Sequence, residues 1–392
     1  MMVISLLTLL AIALLIPCGV FSIECLGALL SSSLAPPRQC ENTDIAVLVP
    51  AHNEAEVITH TIGLLMPQLS RRDRLIVIAD NCTDNTAELA RAAGAMVIER
   101  TDKFHRGKGY ALACGMSVLG EAPPSAVVIV DADCCIRRGS LHQLAEEAIL
   151  FQRPVQAIYL IDCPTKPSIK ESVSLFSFKV KNLVRPLGLA QFGFPCFLTG
   201  TGMAFPYKLL AKVNLASSSI VEDMKLGLDL AIAGYPPALC SAVTVSAPMA
   251  PCDADAKTQR TRWEHGHLQM ISQYCPQLLS AAVAQGRLDL LILALDLSVP
   301  PLALLLLLWL MTSTILSVGA IATGVWLPAF VCYISGLTLV LSVFLSWAKF
   351  AQADISFRTL LSVPAYVVWK IPVYLKFIKS PETEWIRTNR KI

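Results

Sequence analysis

Two carboxylates stand one residue apart at the end of an apolar run. Residues 126–130 read Ala-Val-Val-Ile-Val, and Asp131-Ala132-Asp133 follow at once. A continuous apolar run of that length suits a strand buried on both faces of a parallel sheet. In open α/β sheets, ligands bind in the crevice beyond the carboxyl ends of the strands. Two Asp at such an edge are hard oxygen ligands for a divalent cation, which usually keeps substrate phosphates in its shell. Their chemistry is that of a metal–diphosphate site and a nucleotide-linked substrate. Asp-x-Asp is common by chance, so its weight depends on what surrounds it.

Further polar clusters recur at strand ends. Pro50-Ala51-His52-Asn53-Glu54 closes one strand, and Asp80-Asn81-Cys82-Thr83-Asp84-Asn85-Thr86 closes the next. Arg106-Gly107-Lys108-Gly109 lies in a third connection, where flanking glycines let a lysine approach a phosphate closely. Asp84 and Thr86 read as turn and N-cap residues. Phe197-Leu198-Thr199-Gly200-Thr201-Gly202-Met203 is a small-residue stretch that admits close approach of a ligand or backbone. Glu222-Asp223 precedes a helical pattern and either caps it or does chemistry. Gln259-Arg260-Thr261-Arg262-Trp263 joins two phosphate-binding guanidinium groups to a flat indole. His265 and His267 read as surface or packing residues.

The elements that position these groups alternate between residues 45 and 133. Strands are expected at 45–49, 75–79, 96–98 and 126–130. Helices are expected at 54–69, 86–93 and 109–119. That β-α-β-α-β-α-β order predicts an α/β fold with a mostly parallel, doubly wound sheet and right-handed crossovers. Each strand then delivers its polar cluster to one edge. Neither the glycine fingerprint of dinucleotide folds nor the P-loop pattern is present.

Composition assigns the remainder. The chain has 392 residues, of which 54% are hydrophobic, too many for an ordinary soluble enzyme. Residues 1–37 and 288–348 contain no Lys or Arg, while residues 38–287 hold 24 of the 32 basic residues. The net charge of +3 gives no support to nucleic-acid binding. Thirteen Cys show no metal-ligand spacing, and several lie in apolar segments, which fits a reducing compartment.

Residues 2–30 are long and apolar enough to span a bilayer and lack the basic n-region of a signal peptide. Glu24 inside that run marks the interface or a partner helix. Residues 302–321 and 325–347 form two more runs, with 288–299 as an amphipathic lead-in. Lys370 and two prolines interrupt residues 359–378, which favours an interfacial or re-entrant piece over a span. Basic residues at Lys376, Lys379, Arg387, Arg390 and Lys391 place the globular domain and the tail in the cytoplasm, with the N-terminus outside. The expected divisions are 1–34 (anchor), 35–287 (globular domain), 288–348 (lead-in and two spans) and 349–392 (interfacial segment and tail).

Taken in order, Pro50-x-x-Asn53-Glu54, Asp80, Gly107-Lys108-Gly109, Asp131-x-Asp133, Glu222-Asp223 and Gln259-Arg260-x-Arg262-Trp263 resemble the membrane-integrated family 2 glycosyltransferases of the GT-A fold. These include cellulose, chitin and hyaluronan synthases and bacterial exopolysaccharide glycosyltransferases. The resemblance covers roughly residues 44–270 and implies roles for the matching residues. Asn53, Glu54 and Asp80 would hold uracil and ribose, and Lys108 would lie near the nucleotide. Asp131 would sit at the ribose or pyrophosphate, and Asp133 would coordinate Mg²⁺ or Mn²⁺, with Asp131 as a further ligand. Asp223 would be the base, with Glu222 beside it. Arg260 and Arg262 would neutralise the diphosphate. Gln259, Trp263, Thr199 and Gly200 would shape the acceptor site.

The implied activity is transfer of a hexose from a UDP-sugar, with inversion, to a lipid-linked or membrane-held glycan. The setting would be exopolysaccharide assembly at a bacterial inner membrane. Three spans are few for a synthase that extrudes its own polymer. A processive synthase working as an oligomer or with a partner subunit is therefore the alternative. A non-catalytic nucleotide- or glycan-binding subunit is the rival from another class. A transporter is disfavoured, because the spans lack paired charges and repeat symmetry.

Overall fold

A computed structural model of the chain describes residues 2–31, 43–162, 167–217, 219–249 and 253–380. The basic tail residues Arg387, Arg390 and Lys391 lie outside the described residues. Two units separate. One groups residues of Met1–Ser32, Cys163–Phe194 and Glu264–Glu382, and the other residues of Ser33–Asp162 and Pro195–Trp263. Residues 163–194, read from the sequence as part of a block 35–287, thus group with the apolar helices. The reason is visible in Arg185, whose partners are all in that unit.

The second unit is built on a mixed sheet of eight strands in the order β3-β2-β1-β4-β7-β6-β8-β5. The strands are β1 (Ile45–Ala51), β2 (Arg74–Asp80), β3 (Met96–Arg100), β4 (Ala126–Ile129), β5 (Cys135–Ile136), β6 (Val155–Ile161), β7 (Met203–Pro206) and β8 (Ala238–Ala247). The first four pair in parallel, as the β-α-β order requires. β7 turns antiparallel against β4 and β6, and β5 antiparallel against β8.

β1 is buried on both faces, which is why it reads as a continuous apolar run. Val47 and Val49 face the core beneath Ile58, Ile62 and Leu65, whereas Leu48 faces Leu112, Leu119 and Leu226. The helix expected at 54–69 starts later, at Ile58, and closes in a short 3₁₀ turn, Met66–Gln68. The Glu54 amide is instead held by Thr86 Oγ1 at 2.8 Å and the Ala55 amide by Asp84 Oδ2 at 3.2 Å. These tertiary bonds fix residues 53–57 as a turn across the ends of β1 and β2.

Among the described residues, the first unit contains three helices long and apolar enough to cross a membrane: Met2–Leu30, Leu302–Thr323 and Leu327–Phe350. Close packing needs small residues here. A Cβ on Gly188 would lie 1.8 Å from the Glu24 carbonyl oxygen, so only glycine allows that approach. Lys349 Nζ donates to the carbonyls of Ala28, Leu29 and Ser31 at 3.3, 2.9 and 3.0 Å. It satisfies the open C-terminal end of the first helix.

Glu24 finds the partner expected of it. Arg185 Nε donates to Glu24 Oε2 at 2.6 Å, while Nη2 donates to the Asp296 carboxylate and, at 2.9 Å, to the Asp296 carbonyl. Asp296 belongs to Leu288–Ser298, whose Leu290, Leu293 and Leu297 are buried against the unit.

Candidate functional site

The polar ends of β1, β2 and β4 converge with the loop before β7, as the parallel order dictates. Asp131 and Asp133 follow β4 directly. The ligating atoms of Asp131, Asp133 and Cys134 lie within 4.8 Å of one another. The Cys134 thiol donates to Asp133 Oδ1 at 3.6 Å and is therefore a protonated neighbour. The donor set for a cation is two hard carboxylates, which suits Mg²⁺ or Mn²⁺ better than a soft metal.

Lys108 opens the helix Lys108–Leu119 and is the hub of the site. Its ammonium donates to Asp131 Oδ1 and, at 2.7 Å, to the Gly200 carbonyl. Burial opposes the charge on Lys108, but Asp131, Glu222 and Asp223 outweigh it and hold its pKa above the ordinary value. Gly109 is required because a Cβ there would meet the Leu215 carbonyl at 2.5 Å. Lys108 therefore joins Asp131 to the acidic pair, a link the sequence reading did not anticipate.

Glu222 and Asp223 stand in the first turn of the helix Glu222–Ile232, without capping it through their side chains, and act on Lys108. A Cβ on Gly200 would lie 3.1 Å from Asp223 Oδ2 and 3.5 Å from Lys108 Nζ. That spacing locates the Asp223 carboxylate beside the glycine loop and Lys108. Glu222 is pushed up to about 7, first by burial and then by the charge of Asp223, with Lys108 and Arg262 pulling the other way. Near neutral pH Glu222 is thus protonated in part.

Arg262 is brought within electrostatic reach of Glu222. Arg260 commits its Nε to the Ala256 carbonyl at 2.9 Å, and Gln259 and Trp263 are half-buried on the same helix. Asp80 Oδ1 is held by Arg100 Nη1 at 2.6 Å and by Asn81 Nδ2 at 3.0 Å. Asn53 has a positive φ of 56°, and its Oδ1 accepts from the Thr83 amide at 2.6 Å. Asn53 and Glu54 thereby brace the loop that carries Asp80.

Two contributors, Gln156 and Arg100, escaped the sequence reading. Gln156, almost fully buried in β6, receives the Thr199 amide at 2.8 Å and donates to the Thr201 carbonyl at 2.9 Å. Thr201 Oγ1 accepts from the Asp131 amide at 3.1 Å. Together they fix the glycine loop to the Asp131 backbone. Arg100 stands opposite Asp80 in the parallel register of β2 and β3. The available signals were a glutamine inside an apolar strand and an arginine at the end of one. Thr199 Oγ1 is buried without a hydrogen-bond partner.

Residues 42–266 match the model of the family described as glycosyltransferase like family 2. The chain belongs to that family. It is a glycosyltransferase with a mixed, mostly parallel sheet of GT-A type. A mannosyltransferase, PcManGT from Pyrobaculum calidifontis, solved in complex with GDP-Man and Mn2+, has the same fold. The TM-score is 0.58 at 18% identity, covering 96% of this chain and 100% of that one. The probable glycosyltransferase YdaM of Bacillus subtilis (strain 168) is 32% identical over 97 residues. That stretch is 23% of this chain and 22% of the length of YdaM.

Proposed function

We propose that this glycosyltransferase moves a hexose, with inversion, from a nucleoside-diphosphate sugar to a lipid-linked or membrane-held glycan, in a reaction that depends on Mg²⁺ or Mn²⁺. The observation that carries this reading is the Lys108-centred cluster. One lysine ties Asp131 to the Glu222–Asp223 pair beside Gly200. A diphosphate binder and a proton acceptor are thus held in one frame.

Asp131 and Asp133 would hold the cation, which when bound offsets the diphosphate charge. Asp223 takes the proton of the attacking hydroxyl as general base. Glu222, protonated in part, avoids a second full negative charge beside it. Arg262 would offset charge on the departing nucleotide, and Lys108 would orient Asp131. Attack from the face opposite the leaving group inverts the anomeric carbon, so an α-linked donor gives a β-linkage. Asp80, fixed by Arg100, would accept from a base N–H. That agrees with the UDP-sugar implied by the motif resemblance, and equally with the GDP-Man bound by PcManGT. The charge distribution supports a cytoplasmic catalytic unit at a bacterial inner membrane.

A donor screen tests the reading. The protein in nanodiscs with Mn²⁺ is offered each common UDP-hexose and GDP-mannose, with a membrane lipid extract as acceptor. Metal-dependent nucleotide release with one donor, and a single-sugar lipid product, supports it. A long product ladder instead identifies a processive synthase, alone or with a partner subunit. No release with any donor removes the transferase reading and favours a nucleotide-binding subunit.

A further inference from the structure

The helix Val363–Lys379 is apolar on both faces. Its inward face carries Tyr366, Val367, Lys370, Val373 and Tyr374, all buried, with Lys370 at 2% exposure. Its outward face carries Leu361 just before it, then Val368, Leu375 and Ile378, at 65%, 64%, 52% and 77% exposure. Water would select a polar outward face. The inward charge is met within the unit. Lys370 Nζ pairs with Glu264 Oε1 at 2.5 Å and lies 5.7 Å from the centre of the Tyr366 ring. The mid-segment lysine that interrupts the hydropathy is therefore directed into protein, and the helix is free to show an apolar face outward.

The same helix packs at one end of the membrane-length pair. Tyr366, Val367 and Tyr374 cluster with Ala303, Leu304, Leu306 and Leu307, the first turns of Leu302–Thr323. The short preceding helix Phe357–Leu360 brings Phe357 to 5.7 Å from Trp347, near the close of Leu327–Phe350. Both junctions lie on one side of the hairpin, where a bilayer ends. At about 1.5 Å per residue, the 17 residues of the helix fall short of a ~30 Å hydrocarbon core. Lys170 lies 5.0 Å from the centre of the Trp369 ring, a pairing suited to the headgroup layer.

We propose that Phe357–Lys379 forms a shelf seated in the interfacial layer of an anionic phospholipid leaflet. Its apolar face meets acyl chains, and Arg358, Lys376, Lys379 and Lys170 meet headgroup phosphates. Residues 356–380 contain four basic side chains and no Asp or Glu. Pairing this face with a second copy would bring like charges together with nothing to offset them. Continuity with the apolar helices and this one-signed charge favour lipid.

The test places a benzophenone amino acid at Val368 or at Leu375 in the full chain. A third variant carries it at Glu121, exposed in the other unit. The protein is photolysed in nanodiscs of mixed phosphatidylglycerol and phosphatidylcholine. The expected result is lipid adducts at 368 and 375 but not at 121, with phosphatidylglycerol enriched above its bulk fraction. Arg358→Gln/Lys376→Gln/Lys379→Gln leaves the adducts and removes the enrichment, by up to ~5-fold per charge. Absence of lipid adducts at 368 and 375, or adducts to a second chain, overturns the shelf. Enrichment unchanged in the triple variant overturns the headgroup assignment.

Discussion

Two buried charge clusters, one in each unit, use similar parts to different ends. In the helical unit, the planar fork of Arg185 meets Glu24, the Asp296 carboxylate and the Asp296 carbonyl. In the sheet unit, the compact ammonium of Lys108 meets Asp131 and the Gly200 carbonyl, with Glu222 and Asp223 near it. The Arg185 cluster joins three separate helices, one of them through a glycine at backbone contact with Glu24. The Lys108 cluster lies at the strand ends, where carboxylates outnumber the lysine. A charge bound on several sides by helices fixes their packing. Surplus carboxylates at a sheet edge are, on the proposed reading, the ligands of a cation.

If that contrast holds, breaking Arg185 damages the fold and not the chemistry as such. Arg185→Met strands two buried carboxylates and is expected to lower stability by about 3–5 kcal/mol. Thermal unfolding in detergent measures it. Replacing all three members with apolar residues of similar size should restore most of the loss, since a buried triad is replaceable. A triple variant as unstable as the single one would show that the charges do more than pack. Gly188→Ala sharpens the same side. Its methyl meets the Glu24 backbone, and the expected loss is about 1–3 kcal/mol without any change in nucleotide affinity.

On the other side the smaller effect is a pH dependence. Glu222 has its carboxyl raised from 4.5 to about 7, chiefly by burial. The folded protein therefore keeps a proton that the unfolded chain gives up near its ordinary value. Stability from this group is fully present below that value and is lost as pH rises through about 7, by at most ~1.4 kcal/mol per pH unit. Melting temperature should fall over that window, and Glu222→Gln should flatten the fall. An unchanged slope in Glu222→Gln would remove Glu222 from the coupled set.

The sequence carried the parallel half of the sheet well, because strands buried on both faces read as unbroken apolar runs and their polar ends stand out. The three long apolar helices were legible for the same reason. Asp131, Asp133, Lys108, Glu222 and Asp223 were singled out, but not that Lys108 links them, since an ion pair 23 residues apart leaves no periodic trace. The start of the helix at Ile58 was missed because Thr86 and Asp84, far along the chain, hold the amides before it. The direction of Lys370 was not legible either. Hydropathy sums charge without direction, and the side chain is turned inward to Glu264.

The central claim is that the Lys108-centred cluster separates binding from proton abstraction, with Asp223 the base. The most direct measurement pairs nucleotide binding by calorimetry with product formation, for the unaltered protein and for Asp223→Asn, using the donor found in the screen. Asp223→Asn should bind the nucleotide diphosphate with Mn²⁺ about as well as before and lose turnover by about 10²–10⁴-fold. Turnover within a few fold of the unaltered protein, or loss of binding along with it, would contradict the assignment.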